Sequence, residues 1–369
     1  MIATACAAEH KLAALMHLAD SLYQAEQAGY AASMQANALS GRVLVTGGAG
    51  FIGSALVWAL NQRGIDNILV VDRLGSDEKW RNLVPLRYAD YMDADELQQR
   101  MQRRDASLQG ITSVLHLGAC SATTERDAAY LMRNNYEYTK DVCLWALAGG
   151  VRCVYASSAA TYGDGERGMS DGADLDTLRP LNMYGYSKHL LDLWAARQGC
   201  LSRLVGVKYF NIYGPNEDHK GEMRSLVHKA YSQIQATGRM QLFESHRSDY
   251  AHGEQVRDFL YVKDAVAMTL HLMETPQASG LYNVGSGGAT SWNRLAKALF
   301  QAMGRSVQIE YIPMPEALRG KYQYRTQADT SKLRAAGWSA TPLAVEEAVR
   351  DYVVQYLAHD RRLGDEVLA

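Results

Sequence analysis

Hydrophobic and polar positions fall into an alternating rhythm between residues 42 and about 160, with short unbroken apolar runs between longer stretches that are apolar every three or four positions. The short runs near 42–46, 67–72, 86–90, 111–117 and 151–157 read as strands buried on both faces. The longer stretches near 51–63, 93–103, 124–148 and 183–198 read as helices. Gly110, Gly149 and Gly150 stand where helices should stop before the next strand. This rhythm predicts an α/β chain, a doubly wound parallel sheet with helices on both faces.

A sixth apolar run at 205–210 closes the regular region, and the stretch 211–369 mixes loops, short strands and helices. It is expected to form mostly a smaller mixed α/β lobe, with some segments returning to the larger domain at 42–210. The long loops at 213–222 and 244–257 are where such a lobe would contact a ligand. Residues 1–41 form an added segment in which Leu12, Leu15, Met16, Leu18, Ala19 and Leu22 recur at helical spacing. That spacing suggests an amphipathic helix docked on the body or on a partner, with a weakly ordered leader as the open alternative.

The first strand breaks into a glycine turn, Thr46-Gly47-Gly48-Ala49-Gly50-Phe51-Ile52-Gly53, and resumes as an apolar helix. Strand, glycine turn and helix in that order are what a dinucleotide pyrophosphate needs. Gly47 takes the tight turn, Gly50 lets backbone approach the phosphates, and Gly53 lets helix and strand pack closely. The helix start then aims free N–H groups at the anion. Asp72 ends the second strand about twenty residues after Gly53, the place of a ribose-binding carboxylate.

Composition removes several other classes. A net charge of -2 over 369 residues offers nothing to nucleic acid or an anionic membrane. The five cysteines are odd in number and lack CxxC spacing, as expected of reduced thiols in a cytoplasmic protein. Neither they nor the ten histidines show metal-ligand spacing, so no metal is expected. The longest apolar stretch, 43–60, is broken by four glycines and predicts no membrane span. No basic region precedes an apolar core at the N-terminus, so a secretory signal is not expected.

Ser158 ends the fifth strand, and Tyr184-Gly185-Tyr186-Ser187-Lys188 follows on a predicted helix, with Tyr184 and Lys188 one turn apart on one face. A lysine ammonium about 4 Å from the phenol would favour phenolate by roughly 4 kcal/mol at an effective dielectric near 20. That would bring the tyrosine from about 10 towards neutral pH, where it could exchange protons with an alcohol. Spacing alone is weak among 22 tyrosines, since Tyr136 and Lys140 share it. Only Tyr184 and Lys188 follow a serine at a strand end after a complete glycine-turn half.

Together with segments 209–215 and 282–285, these residues resemble the extended short-chain dehydrogenase/reductase family over nearly all of 42–357. The resemblance implies a Rossmann-type NADP-binding domain in which Tyr184 is the acid/base. It also implies that Lys188 lowers the pKa of Tyr184 and holds the nicotinamide ribose, and that Ser158 bonds the reacting oxygen. Stretches 89–93, 118–125, 214–221 and 322–329 are similar to the branch of that family that epimerises ADP-heptose at C6 for the lipopolysaccharide core. Such an enzyme, a homo-oligomer in that branch, oxidises one carbon and re-reduces it from the opposite face. It needs a second acid/base, which the resemblance assigns to Lys220. An epimerase or dehydratase of another nucleotide sugar, such as a UDP-galactose 4-epimerase, is an alternative inside the family. A catalytically silent NADP-binding sensor is the alternative outside it.

The resemblance also distributes binding roles. Cofactor contacts fall to Gly47, Gly50, Phe51, Ile52, Gly53, Asp72, Arg73, Lys79, the turn Leu117, Gly118, Ala119, Cys120 and Ser121, and to Asn134, Lys188, Ile212 and Lys220. Asp72 alone would favour NAD, because a carboxylate repels a 2′-phosphate, whereas Arg73 and Lys79 could neutralise one. NADP is therefore expected, with NAD as the alternative. An ADP-sugar would meet Asn211, Glu222, His228, Phe243, Glu244, Ser245, His246, Arg257 and Tyr322. Arg257 suits the diphosphate because a guanidinium takes two oxygens at once, and a structural ion pair with Asp258 is its alternative. Ala94, Leu117 and Glu222 depart from the branch, which often has lysine, glutamate and a small hydroxyl residue there, and the 244–257 loop is longer than usual.

Overall fold

A computed structural model describes residues 38–319 and 322–365, so the helical spacing expected over 12–22 lies outside the described residues. The strands are β1 (Arg42–Thr46), β2 (Ile68–Asp72), β3 (Asp90–Asp93), β4 (Ile111–His116), β5 (Arg152–Ser158) and β6 (Val205–Tyr209). Beyond them come β7 (Asn211–Tyr213), β8 (Met240–Phe243), β9 (Val256–Arg257), β10 (Phe259–Tyr261), β11 (Gly280–Val284), β12 (Thr290–Ser291) and β13 (Ile309–Ile312). Eight helices matter below: α1 (Phe51–Gln62), α2 (Ala94–Gln102), α3 (Ala128–Leu131), α4 (Tyr138–Ala148), α5 (Met183–Arg197), α6 (Leu226–Thr237), α7 (Val262–Glu274) and α8 (Trp292–Ala302).

Seven strands form one sheet in the order β3-β2-β1-β4-β5-β6-β11, every neighbouring pair parallel. Strand order reverses between β1 and β4, so their carboxyl ends flank the crevice where ligands of doubly wound sheets bind. Alternate side chains explain the two layers. Val43, Val45, Ile68 and Val70 pack with α1 and α7 on one face. Leu44, Leu69 and Val71 pack with α2, α4 and α5 on the other. Both faces are covered, so the strands read as continuous apolar runs. Three two-stranded pairs, β7 with β10, β8 with β13 and β9 with β12, build the region beyond the sheet edge.

Two expected elements move. The strand expected at 86–90 lies instead at Asp90–Asp93, where Met92 alone is buried. An edge strand half in water carries polar residues, so the neighbouring apolar coil imitated it. The helix expected over 124–148 starts only at Ala128, where the Asp127 side chain accepts from the Tyr130 N–H at 2.9 Å. It passes through a π-helical turn, Met132–Glu137, before α4. Such turns displace side chains relative to a regular helix and gather at functional sites.

His116, at the end of β4, is buried between the hydroxyls of Thr46 (2.6 Å) and Thr139 (2.9 Å). Burial lowers its pKa from 6.5 to about 3, so the folded protein holds it neutral. Between those values the unfolded chain binds the extra proton, so stability falls as pH falls through that window. Wild type is expected to lose about 3 kcal/mol at this site between pH 7 and pH 4. Denaturant unfolding of wild type and His116→Gln across that range should show their stability gap narrowing in acid.

Candidate active site

Gly47 sits at φ +67°, and a Cβ there would meet the backbone of Leu117 and Gly118 at 2.7 Å. A Cβ on Gly53 would stand 2.0 Å from the Gly47 carbonyl oxygen, so only glycine lets α1 begin this close to β1. Gly50 differs, because its added Cβ would meet nothing but that oxygen, at 3.1 Å. Its outer side is open, and no side chain caps the first N–H groups of α1, at Phe51 and Ile52. An uncapped helix start beside an open glycine fits a pyrophosphate.

At the end of β2, Asp72 accepts from the Ala49 N–H at 2.9 Å and from Lys79 Nζ at 3.0 Å. Its carboxylate thus braces the glycine turn and already carries a cation. Arg73 is engaged elsewhere, bonded to Asp95 and to Asn134 Oδ1 and lying 5.9 Å from the Tyr138 ring. Asn134 therefore faces Arg73. Its neighbour Asn135, fully buried, holds the turn after β4: it accepts from the Cys120 N–H (2.9 Å) and donates to the Cys120 carbonyl (3.0 Å) and to Ser187 Oγ (3.1 Å). Sequence reading missed Asn135, since only the π turn decides which of two adjacent asparagines points inward. In the same turn, the Leu117 and Gly118 N–H groups bond Thr46, Leu117 to Cys120 are half-buried, and Ser121 is exposed.

Ser158 ends β5, its hydroxyl accepting from the Ala160 N–H at 3.1 Å. Asn182 caps α5 by accepting from the Gly185 N–H at 2.7 Å, and a Cβ on Gly185 would meet the Ala160 carbonyl oxygen at 2.8 Å. Cap and glycine together seat the first turn of α5 against the end of β5. The turn brings Tyr184 to Ser158, whose side chain lowers the phenol's pKa in part. Lys188 is 2% exposed and donates to the Ala156 carbonyl at 2.9 Å. In the pair that shares the spacing, Lys140 lies over the rings of Tyr136 (5.4 Å) and Trp194 (5.9 Å) instead.

The expected acidification of Tyr184 by Lys188 is not found. Burial raises the phenol above its ordinary 10, and the Ser158 side chain opposes this only in part. Lys188 is itself deprived of water, which lowers it to about 8, and its ammonium is turned to a backbone carbonyl. Desolvation penalises the phenolate and the ammonium alike, which a two-charge argument leaves out.

Across the cleft, Lys220 lies in the turn Asp218–Met223 with its ammonium 4.9 Å from the Phe51 ring centre, so this loop reaches the start of α1. Burial lowers its pKa, and the Glu217 charge offsets only part of that. Glu222 is exposed, so its carboxylate is turned to solvent. His228 is buried at the start of α6 and bonded to Asp218 at 3.0 Å. Asn211 gives its amide to the Asp258 carbonyl and to Thr326, and Ile212 pairs with Leu260 in β7 and β10. Phe243 to Ser245 are half-buried at the end of β8, and His246 is bonded to the Tyr324 hydroxyl.

Arg257 is 7% exposed, between the rings of Trp292 (5.6 Å) and Tyr322 (5.0 Å). The alternative ion pair with Asp258 does not form, because that carboxylate accepts from Ser286, Gly287 and Ala328. Tyr322, which accepts from Trp292 Nε1 at 2.9 Å, also lines a cleft of about 630 Å³ with Arg247, Tyr250 and Tyr324.

The chain is similar to known epimerases. Residues 43–285 match the model of the NAD dependent epimerase/dehydratase family. An ADP-L-glycero-D-manno-heptose-6-epimerase of Nitratidesulfovibrio vulgaris (strain DP4) is 53% identical over 316 residues, covering 85% of this chain and 98% of its own. One from Fusobacterium nucleatum is 43% identical over 328 residues, covering 86% and 98%. Among solved structures, the Helicobacter pylori ADP-L-glycero-D-manno-heptose-6-epimerase superposes with a TM-score of 0.71 at 27% identity, covering 86% of this chain and 97% of its own. The Thermus thermophilus UDP-glucose 4-epimerase, in complex with NAD, gives 0.68 at 25% identity, covering 85% and 98%.

The glycines separate two effects. Gly53→Ala is expected to destabilise the fold by about 2 kcal/mol or more, because its Cβ collides with backbone. Gly50→Ala is expected to fold normally and bind dinucleotide at least about tenfold more weakly. Thermal melts with and without dinucleotide distinguish them.

Proposed function

The chain belongs to the NAD dependent epimerase/dehydratase family, and we propose that it is a nucleotide-sugar epimerase interconverting ADP-D-glycero-D-manno-heptose and ADP-L-glycero-D-manno-heptose at C6. The observation that carries the reading is the meeting of Ser158, Tyr184 and buried Lys188 at the end of β5, in the sheet whose β1 opens into an uncapped glycine-turn helix. The alternative sugar nucleotides are not favoured by relatives that match 85% of the chain at up to 53% identity.

A nicotinamide dinucleotide held by the turn at Gly47 to Gly53, by Asp72 and by the turn at Leu117 to Cys120 supplies, when bound, the hydride acceptor and donor. The chain's own part is to move protons and hold the sugar. In this reading Tyr184 acts as the phenolate left once its own proton has passed to solvent, and takes the proton of the C6 hydroxyl as the substrate is oxidised, with Ser158 orienting the oxygen. Inversion needs a second proton donor on the opposite face, and Lys220 fills that role. Among the described residues it forms no ion pair, and burial makes its ammonium release a proton more readily near neutral pH. Arg257, a buried cation with no carboxylate partner among the described residues, takes the diphosphate. A cytoplasmic location and self-assembly go with this reading through the family likeness.

NADP is the dinucleotide this reading prefers. Lys79 neutralises Asp72, so a 2′-phosphate would meet an ion pair with a spare donor in place of a bare carboxylate. Lys79→Ala is expected to weaken NADP binding about tenfold and NAD binding less than about twofold, measured by fluorescence titration. Equal losses for both would remove the preference.

The direct test is incubation with either ADP-heptose epimer, followed by NMR, with UDP-galactose as control. Interconversion of the heptoses is expected, whereas turnover of UDP-galactose alone would replace the substrate and leave the fold untouched. Tyr184→Phe is expected to lower kcat by at least about a thousandfold while dinucleotide binding stays within about twofold. Wild type that binds NADP but turns over no sugar nucleotide would favour the silent sensor.

A further inference from the structure

Beneath Ser158, Tyr184 and Lys188 lies an ion pair that the roles above leave unused. Asp192, on α5 one turn past Lys188, is 0% exposed, and Lys208 on β6 is 1% exposed. Lys208 Nζ donates to Asp192 Oδ2 at 2.7 Å and to Thr161 Oγ1 at 2.6 Å. The rest of the Asp192 carboxylate is filled from β5, by the Ser157 hydroxyl on Oδ2 at 2.7 Å and the Tyr155 hydroxyl on Oδ1 at 3.0 Å. Thr161 in turn donates to the Ser158 carbonyl at 2.8 Å. Every strong contact of the pair therefore ends on α5, on the last residues of β5, or on the turn that follows Ser158.

An apolar pair could fill this layer between β5, β6 and α5 without the cost of taking two charges out of water. What the charged pair adds is direction. The carboxylate ties Ser157, next to Ser158, to the helix that bears Tyr184 and Lys188, and the ammonium ties down the turn after Ser158. The charged or titratable groups whose fields reach Lys188 are Asp192, one turn along its own helix, the Cys143 thiol on α4, the Cys120 thiol in the turn after β4, and His116 on β4. His116 is neutral, burial favours the protonated form of the Cys120 thiol, and the Cys153 hydrogen bond together with burial favours that of Cys143. Asp192 is then the one carboxylate in that set.

We propose that the buried Asp192–Lys208 pair is a positioning device for the catalytic groups: it sets the spacing between the end of β5 and α5 and places a carboxylate one turn from Lys188 on the same helix. The inference rests on the reading of Ser158, Tyr184 and Lys188 as those groups, and the two fail separately. An active Tyr184→Phe variant would overturn the underlying reading, whereas the variants below test the pair alone.

The test uses the full chain as wild type, Asp192→Asn, Asp192→Glu and the double variant Asp192→Asn with Lys208→Met, which removes both charges and keeps the site filled if the single variant does not fold. Two readouts run together: the pH profile of epimerisation, and the NMR titration of Lys188 in protein carrying 13C-labelled lysine, assigned through Lys188→Arg. Asp192→Asn is expected to move the Lys188 titration and the alkaline limb of kcat down by half a pH unit or more, about the effect of one lost neighbouring charge, and the double variant to move them down by less, because it also removes a cation. Their kcat should fall at least about tenfold with KM within about twofold, as for displaced catalytic groups. Asp192→Glu should restore the wild-type limb. A Lys188 titration unchanged in both, or activity lost only in proportion to folded protein, would overturn the proposal and leave the pair a fastener of the fold.

Discussion

The close approach of α1 to the first turn, which only glycine at 53 allows, is the constraint on which the rest of the cleft depends. The short segment it creates is gripped from every side. Asp72 accepts the Ala49 N–H, and Asn82 donates to the Ala49 carbonyl and reaches the carbonyl of Asn216 in the 213–222 loop. Asn216 in turn donates to Ser54, and Lys220 from the same loop stands over Phe51. The glycine turn, the carboxylate at the end of β2 and the loop at 213–222 are thereby locked into one body. Two backbones in contact cannot be loosened by degrees, because packed interiors deform little.

Desolvation sets the charge states that this body presents. Lys188, Lys220 and Arg257 are cations whose pKa values burial lowers, and Tyr184 is a phenol that burial holds protonated. Buried cations of this kind favour contact with negative charge, and burial lets lysines give up protons more readily than in water. The same rule governs the layer below, where His116 is kept neutral between two threonine hydroxyls and the Asp192 carboxylate is saturated with donors. In that layer the Asp192 and Lys208 charges are retained where they fasten α5 to the sheet, whereas His116 is neutral.

Much of this was legible in the chain because it is local. Apolar runs at 42–46 and 68–72 report strands covered on both faces, and the spacing of Gly47, Gly50 and Gly53 reports a turn and a helix start. The stations of Ser158, Tyr184 and Lys188 follow from strand end and helix period. The strand at Asp90–Asp93 escaped because an edge in water need not be apolar. Arg73 reads as a phosphate neighbour on its position, yet Asp95 and Asn134 take its guanidinium, and residue 95 is distant in sequence.

What the amino-acid order determined by itself, then, is the set of elements, the direction of the sheet, and the kinds of groups delivered to its carboxyl edge, since these depend on backbone propensity and neighbours within a few positions. Tertiary structure alone decided which of Asn134 and Asn135 turns inward, that Glu222 turns outward, that Arg257 is sandwiched between rings without an acid, and that burial holds Tyr184 protonated. The physical reason is common to all four: exposure, and the energy of a charge within it, are set by residues that meet only after the chain has folded.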